Sequence, residues 1–183
     1  QKAPQASSVS VNFSAPCFYD AGIAEFVAQT IADSGIEPHA LILEITESTL
    51  FRDPQRVRPV LNQLKEMGVR IALDDFGTGQ SSLSHLRNFP IDIVKIDRGF
   101  IRDVPDDEND CELVSAIIAM AHNLNMCVVA EGVEDESQLN FLQRLECTYV
   151  QGLLFGDPMS AENYLELLVA QADGTDSYRA LFA

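Results

Sequence analysis

The sequence predicts an α/β fold, a (β/α)8 TIM-like barrel, here with six of its eight strand–helix units. Two observations predict a parallel sheet with right-handed crossovers: apolar runs of strand length recur along the chain, and patterns of helical spacing lie between them. The third separates a barrel from an open doubly wound sheet. An open sheet gathers its ligand groups at one switch point, whereas here every strand delivers a polar residue at or just after its C-terminal end.

The strands are expected over Val9–Phe13, Ala40–Ile45, Val69–Asp74, Ile91–Ile96, Met126–Ala130 and Tyr149–Phe155. Between them, Asp20 caps a helix over Ala21–Ser34, with Gly35 just past its end. Asp53-Pro54 starts the next helix and Gly68 stops it. A short helix fits Ser81–Asn88 before Pro90, and Leu113–Leu124 is apolar at helical spacing. Asp135 or Glu136 opens Gln138–Leu145, and Ser160 caps Ala161–Ala172. The acidic stretch Asp103–Asp110 breaks the pattern and reads as a surface loop.

Successive strand residues face opposite sides, which gives the barrel an internal check. If Asn12, Glu44, Asp74, Lys95 and Glu131 point inward, so do Ser10, Ile42, Ala72, Ile93 and Val129. The opposite faces then carry Val9, Val11, Phe13, Leu41, Leu43, Ile71, Leu73, Val94 and Ile96, bulky enough to meet an outer ring of helices. A complete barrel takes about 250 residues. At 183 residues the chain falls short by two strand–helix units, and its linker-like start places the loss at the N-terminus. Residues 1–8 read as a linker or truncated segment without an initiator methionine, and 9–183 as one N-terminally incomplete barrel domain.

Composition narrows the function. With 12 basic against 28 acidic residues the formal net charge is −16. Such a surface repels nucleic acid polymers and anionic lipid, since both require clustered Lys and Arg. No apolar run approaches the roughly 18 residues of a membrane span, so this segment makes no membrane contact. The four cysteines, Cys17, Cys111, Cys127 and Cys147, contain no C-x-x-C pair and read as buried free thiols of a reducing compartment. The expected location is the cytoplasm, or the cytoplasmic part of a membrane-bound parent. None of the three histidines has metal-ligand spacing with another His or Cys, which argues against zinc.

The strand ends carry the chemistry. Asp74-Asp75-Phe76-Gly77-Thr78-Gly79 places two adjacent carboxylates before a glycine turn. Adjacent residues of a continuing strand face opposite ways, so Asp75 joins Asp74 at the mouth only if the strand ends there. Asn12, Glu44, Asp74, Asp75 and Glu131 offer oxygen and nitrogen ligands that suit Mg2+ or Mn2+. Two such ions about 3.5–4 Å apart can clamp a phosphodiester and activate a shared water. Lys95, among acids, stays charged and neutralises charge developing on the phosphoryl group or holds the nucleophilic water. Asp53, Asp103 and Asp135 read as caps or solvated residues. Asp97, two residues after Lys95, is intermediate and can simply pair with it. The amide of Gln151 also fits an ordinary strand-end hydrogen bond.

These residues resemble the C-terminal three-quarters of an EAL domain, a bacterial phosphodiesterase that linearises cyclic di-GMP to pGpG. The matching motifs are Val-Asn12-Phe-Ser, Leu-Glu44-Ile-Thr-Glu47-Ser, Asp74-Asp75-Phe-Gly-Thr-Gly, Lys95-Ile-Asp97, Ala-Glu131-Gly-Val-Glu134 and Gln151-Gly, in order from about residue 9 to Pro158. The resemblance implies that Asn12, Glu44, Asp74 and Asp75 are metal ligands, with Asp75 reaching a second ion. It makes Glu131 a ligand or general base, and Lys95 the residue that positions the hydrolytic water. Glu47 becomes the anchor of the loop after Asp75, a loop tied in this family to dimerisation and activity, so a homodimer is expected. Glu134 and Gln151 fall near substrate or the metal-bound network. It also implies a barrel with one antiparallel strand, and regulatory or GGDEF-type domains in the parent protein.

The chain departs from the family pattern in two places. The Glu-Ala-Leu tripeptide, whose glutamate is a metal ligand, is absent, together with the nearby substrate-binding arginine; the chain alone is therefore expected to be inactive. Gln151-Gly152-Leu153 stands where Gln-Gly-Tyr is common. The function implied for the complete domain is hydrolysis of cyclic di-GMP by a water activated by two metal ions. The alternative is a non-catalytic cyclic di-GMP receptor, and retention of Glu44, Asp74, Asp75 and Lys95 argues against it. An unrelated barrel enzyme using Lys95 as a base is disfavoured by the adjacent aspartates, and a scaffold module leaves the polar strand ends unexplained.

Overall fold

The computed structural model describes residues 8–77 and 86–172. Residues 1–7 of the expected linker, Thr78-Gly79 of the glycine turn and residues 81–85 of the expected Ser81–Asn88 helix lie outside them. Six strands form one sheet in the order β1-β2-β3-β4-β5-β6: Val9–Asn12, Leu41–Thr46, Arg70–Phe76, Ile93–Ile96, Cys127–Glu131 and Tyr149–Gln151. Every neighbouring pair is parallel. The antiparallel strand that the resemblance implies is not among these six. Strand order follows chain order without reversal, so no doubly wound switch point exists among them, and the sheet is an arc of a barrel.

The helices are α1 (Ile23–Ser34), α2 (Glu47–Arg52), α3 (Pro54–Glu66), α4 (Arg98–Ile101), α5 (Glu108–Asn123), α6 (Glu136–Arg144) and α7 (Ala161–Ala172), with 3-10 turns at Ala15–Tyr19 and Pro38–Ala40. Local chemistry sets their limits. Asp53 accepts from Arg56 N at 3.3 Å in front of Pro54, and Gly35 ends α1 at φ 69°. Asp20 accepts from Gly22 N at 2.8 Å instead of capping Ala21, so α1 opens at Ile23. Of the acidic stretch expected as a loop, Glu108–Asp110 belong to α5. Asp107 accepts from Asn109 N and Asp110 N at 2.9 and 3.0 Å, and Glu108 and Asp110 favour the positive end of α5. The last strand stops at Gln151, four residues early. A Cβ at Gly152 would overlap Val133 N and O, and the chain turns there with Phe155 N bonding Gly152 O.

The face alternation expected from sequence is present. Ile42, Ala72 and Ile93, with Cys127 and Val129, form an inner apolar layer. Leu43, Ile71, Leu73, Val94 and Ile96 face a separate outer core shared with Val57, Leu61 and Leu64 of α3. β1 departs from the pattern: Val9 and Val11, expected under helices, are 47% and 46% exposed on an edge strand, while Phe13 is buried. All four cysteines are free, but half-buried rather than fully buried. Below the inner layer, Lys65 pairs with Asp92 at 2.7 Å, and Asp92 also accepts from Ile71 N at 2.8 Å, tying α3 to the bottom of the sheet. Among the described residues, no helix is long and apolar enough to cross a membrane.

The contrast between outer core and edge is measurable. Leu61, fully buried, should cost about 2–5 kcal/mol on Leu61→Ala substitution. Val9→Ala, at a half-exposed position, should cost about 0.5 kcal/mol. Urea titration of the two variants checks both figures.

Candidate active site

The polar strand ends converge on one side chain. Lys95, third residue of β4, is 7% exposed, and its Nζ lies 2.8 Å from Glu44 Oε2, 3.0 Å from Asp74 Oδ1 and 2.7 Å from Glu131 Oε1. Those acids come from β2, β3 and β5, so three separate crossovers have brought them to one point. Ile93, two residues before Lys95, holds its stem above the inner apolar layer. Water is largely excluded beneath the ammonium, which strengthens its attraction to the carboxylates.

The charges do not balance. Three carboxylates share one ammonium, and two negative charges remain over before Asp75 is counted. Burial alone would push the Lys95 ammonium towards neutrality; hydrogen bonds to Glu131 and Glu44 more than reverse that and hold it charged above its ordinary range. Burial raises the Glu131 carboxyl, with Lys95 opposing. Asp75 is also raised, first by burial and then by the charges of Asp74 and Asp97. Asp74 Oδ1 is close to Lys95 Nζ but outside hydrogen-bond geometry, which leaves a buried carboxylate oxygen without a hydrogen-bond partner.

That donor set fits a hard cation: oxygen ligands, surplus negative charge and one unsatisfied buried oxygen. Among the described residues no three Asp, Glu, His or Cys side chains already form a cation cage. Glu44, Asp74 and Glu131 are turned onto the Lys95 ammonium, and ligation requires them to share their oxygens between it and an ion.

Asp75 reaches the mouth by a route different from the one expected. β3 does not end at Asp74. It runs to Phe76, with its register against β4 shifting between Leu73 and Phe76. Asp75 absorbs the shift in the left-handed region, φ 55°, which Asp tolerates better than most residues. The bulge frees adjacent aspartates from facing opposite sides. Gly77, just past the end of β3, has φ 99° and donates its N–H to Glu47 Oε2 at 3.3 Å. Glu47 is buried at the first position of α2, where Thr46 caps the helix.

The remaining expected residues divide. Asn12 pairs in register with Glu44 and Gln151 with Glu131, which sets both at the mouth on the flanking strands, exposed. Asp97 does not pair with Lys95; it caps α4, accepting from Gly99 N at 2.8 Å. Glu134 is exposed, with no hydrogen bond or ion pair from its side chain among the described residues. Sequence reading missed the contacts that hold the loops together: Gly132, whose missing Cβ would overlap Arg98 Cβ, Gly152 against Val133, and the buried Gln138. Only Gln138 carried a sequence signal, the Asp135-x-x-Gln138 spacing of a capping box.

Fold and site together define a parallel barrel protein with an acidic, oxygen-lined mouth around a single buried lysine. The chain belongs to the EAL domain family, whose model matches residues 1–158. It is 48% identical over 158 residues to the bifunctional diguanylate cyclase/cyclic di-GMP phosphodiesterase MucR of Pseudomonas aeruginosa, a match covering 86% of this chain and 23% of that protein. The solved MucR phosphodiesterase in complex with c-di-GMP superposes with a TM-score of 0.81, covering 86% of this chain and 64% of that one. The EAL domain of Mycobacterium smegmatis DcpA is 36% identical, with a TM-score of 0.84 over 88% of this chain and 73% of its own. BlrP1 of Klebsiella pneumoniae, solved with manganese and cyclic di-GMP, is 29% identical with a TM-score of 0.78, covering 82% of this chain and 39% of that one. The chain thus spans less than a quarter of MucR's length.

Two stability measurements follow. Lys95→Met strips three carboxylates of their shared cation and should destabilise the chain by about 3–5 kcal/mol. Gly152→Ala forces a methyl into the Val133 backbone and should cost about 1–3 kcal/mol. Chemical denaturation of each purified variant tests the pair.

Proposed function

We propose that the complete EAL domain containing this chain hydrolyses cyclic di-GMP to linear pGpG, using two divalent cations, Mg2+ or Mn2+. The observation that carries this reading is the convergence of Glu44, Asp74 and Glu131 on Lys95 Nζ, with Asp74 Oδ1 left unsatisfied. Phosphodiesterase relatives and a manganese-bound neighbour support it.

Asn12, Glu44, Asp74, Asp75 and Glu131 would hold the cations. When bound, the ions lower the pKa of water and stabilise both the entering and the leaving oxygen of a phosphodiester. Lys95, kept protonated by its partners, offers a fixed positive charge to the phosphoryl oxygens as they gain negative charge. It also keeps Glu44, Asp74 and Glu131 aimed inward. Glu131, with its carboxyl raised by burial, is suited to take the proton of the attacking water. Glu47 fixes the segment after Asp75 through Gly77 N. Gln151, and Glu134 at the exposed end of the β5 loop, are assigned to the substrate side. One ring phosphodiester opens, and the product leaves as a linear dinucleotide.

The free thiols suit a cytoplasmic setting. A homodimer and attached regulatory domains, such as the cyclase named in MucR, belong to the same reading.

Chromatographic detection of pGpG tests it. The complete domain should turn over cyclic di-GMP with Mg2+ or Mn2+ and not in chelator. Asp74→Asn and Lys95→Ala should each lose at least about 100-fold in kcat while circular dichroism stays that of a folded protein. Binding of cyclic di-GMP without turnover in either metal would replace this reading with the receptor. Independently of turnover, Mn2+ at about 100 times its Kd should add about 2.7 kcal/mol of stability, and Asp74→Asn should reduce that gain.

A further inference from the structure

Four polar or charged side chains are buried among the described residues: Glu47, Thr49, Lys95 and Gln138. Lys95 belongs to the site, and Glu47 and Thr49 to the helix that anchors the loop after β3. Gln138, 4% exposed, lies on α6 away from the carboxylates. Its amide is saturated. Oε1 accepts from Glu134 N at 2.7 Å and Asp135 N at 3.3 Å, and Nε2 donates to Ile101 O at 3.2 Å and Arg102 O at 3.1 Å. Two N–H groups face one end and two carbonyls the other, so only one orientation of the amide satisfies all four.

A helix cap accounts for part of this. The capping box needs Gln138 to reach the Asp135 N–H, and it does. It does not need the shorter bond to Glu134 N, nor either bond to the carbonyls of Ile101 and Arg102. Those two residues end α4, which follows directly on Lys95-Ile96-Asp97. Glu134 ends the segment Glu131-Gly132-Val133. The amide therefore joins the loop after Lys95 to the loop after Glu131, and those two side chains form the shortest ion pair of the cup, 2.7 Å.

Backbone packing limits the same two loops independently. Gly132 has φ 74°, and its α-carbon sits so close to Arg98 Cβ that no side chain fits between them. Val133 N donates to Gln151 O at 3.0 Å, and Leu154 N donates to Val133 O at 3.1 Å. The loop after β5 thus packs closely on Arg98 of the β4 loop and bonds the turn after β6, and Gln138 supplies the polar tie between the β4 and β5 loops.

Building on the proposed phosphodiesterase reading, we infer that Gln138 is a positioning residue for the reaction, fixing the aim of Glu131 at Lys95 and at the cations by tying the β4 and β5 loops together. It acts through those two residues and touches no reacting atom. Outer partners that orient ligating carboxylates typically influence metal affinity or activity about 10- to 100-fold.

The test compares the complete domain with its Gln138→Met, Gln138→Glu and Asp135→Ala variants, using cyclic di-GMP and graded Mn2+. Gln138→Met keeps the volume and removes all four bonds. Gln138→Glu keeps both bonds to the β5 loop and loses those to the β4 carbonyls. Asp135→Ala loosens the start of α6 but leaves the Gln138 amide in place. The expected result is a fall of about 10- to 100-fold in kcat for Gln138→Met, with KM for cyclic di-GMP near wild type and more Mn2+ needed for half-activation. Gln138→Glu should fall between Gln138→Met and wild type, and Asp135→Ala should retain wild-type kcat despite a lower melting temperature. Folded Gln138→Met with wild-type kcat and Mn2+ dependence would overturn the inference. So would an Asp135→Ala loss equal to that of Gln138→Met, or failure of both Gln138 variants to fold, since either makes the role purely structural. An inactive wild type would instead remove the phosphodiesterase reading, and the Mn2+ dependence of melting in wild type and Gln138→Met would then decide the positioning role alone.

Discussion

The mouth of this barrel is organised around one ammonium group. Among the described residues Lys95 is the only cation within reach of Glu44, Asp74 and Glu131, and each of those acids comes from a different strand. Without it, three partly buried carboxylates would repel one another across a low-dielectric cup, and the strand ends would have no common target. The inner layer of Ile42, Ala72 and Ile93 is what makes the ammonium effective, because it keeps water from beneath the cluster. Packing and electrostatics are therefore a single constraint here: the inner apolar layer lies beneath Lys95, and Lys95 gathers the acids above it.

The same cluster is deliberately undercompensated. A structural ion pair would match its charges, as Lys65 and Asp92 do at the bottom of the sheet. At the top, the acids outnumber the cation, one Asp74 oxygen has no hydrogen bond, and Asp75 is held in a left-handed conformation beside it. These features gather at one end of the sheet, where the acids of β2, β3 and β5 meet Lys95. Strained backbone and surplus charge at one place mark the cluster as a functional site rather than a structural ion pair, which is the basis of the cation-binding proposal.

Much of this was legible in the sequence, and the reasons differ by residue. Period-two alternation sufficed to group Ile42, Ala72, Ile93 and Val129 on the inner face, because parallel strands keep that period strictly. The same rule misjudged Asp75, since a bulge interrupts the period and leaves no compositional mark beyond the glycine after it. Val9 and Val11 have the composition of covered strand residues and are nonetheless exposed, because cover depends on neighbours that a strand's own sequence does not encode. Asp97 was ambiguous for a physical reason: one short carboxylate can pair with a lysine or cap a helix, and the turn into α4 decided for the cap. The loop contacts at Gly132, Gly152 and Gln138 are long-range, so spacing alone could not reveal which backbone each residue meets.

The crowding of charge at Asp75 has an evolutionary consequence. At position 75, where burial and the charges of Asp74 and Asp97 oppose ionisation, a neutral residue relieves repulsion. Loss of that one charge would silence the chemistry without removing any packing that holds the barrel together.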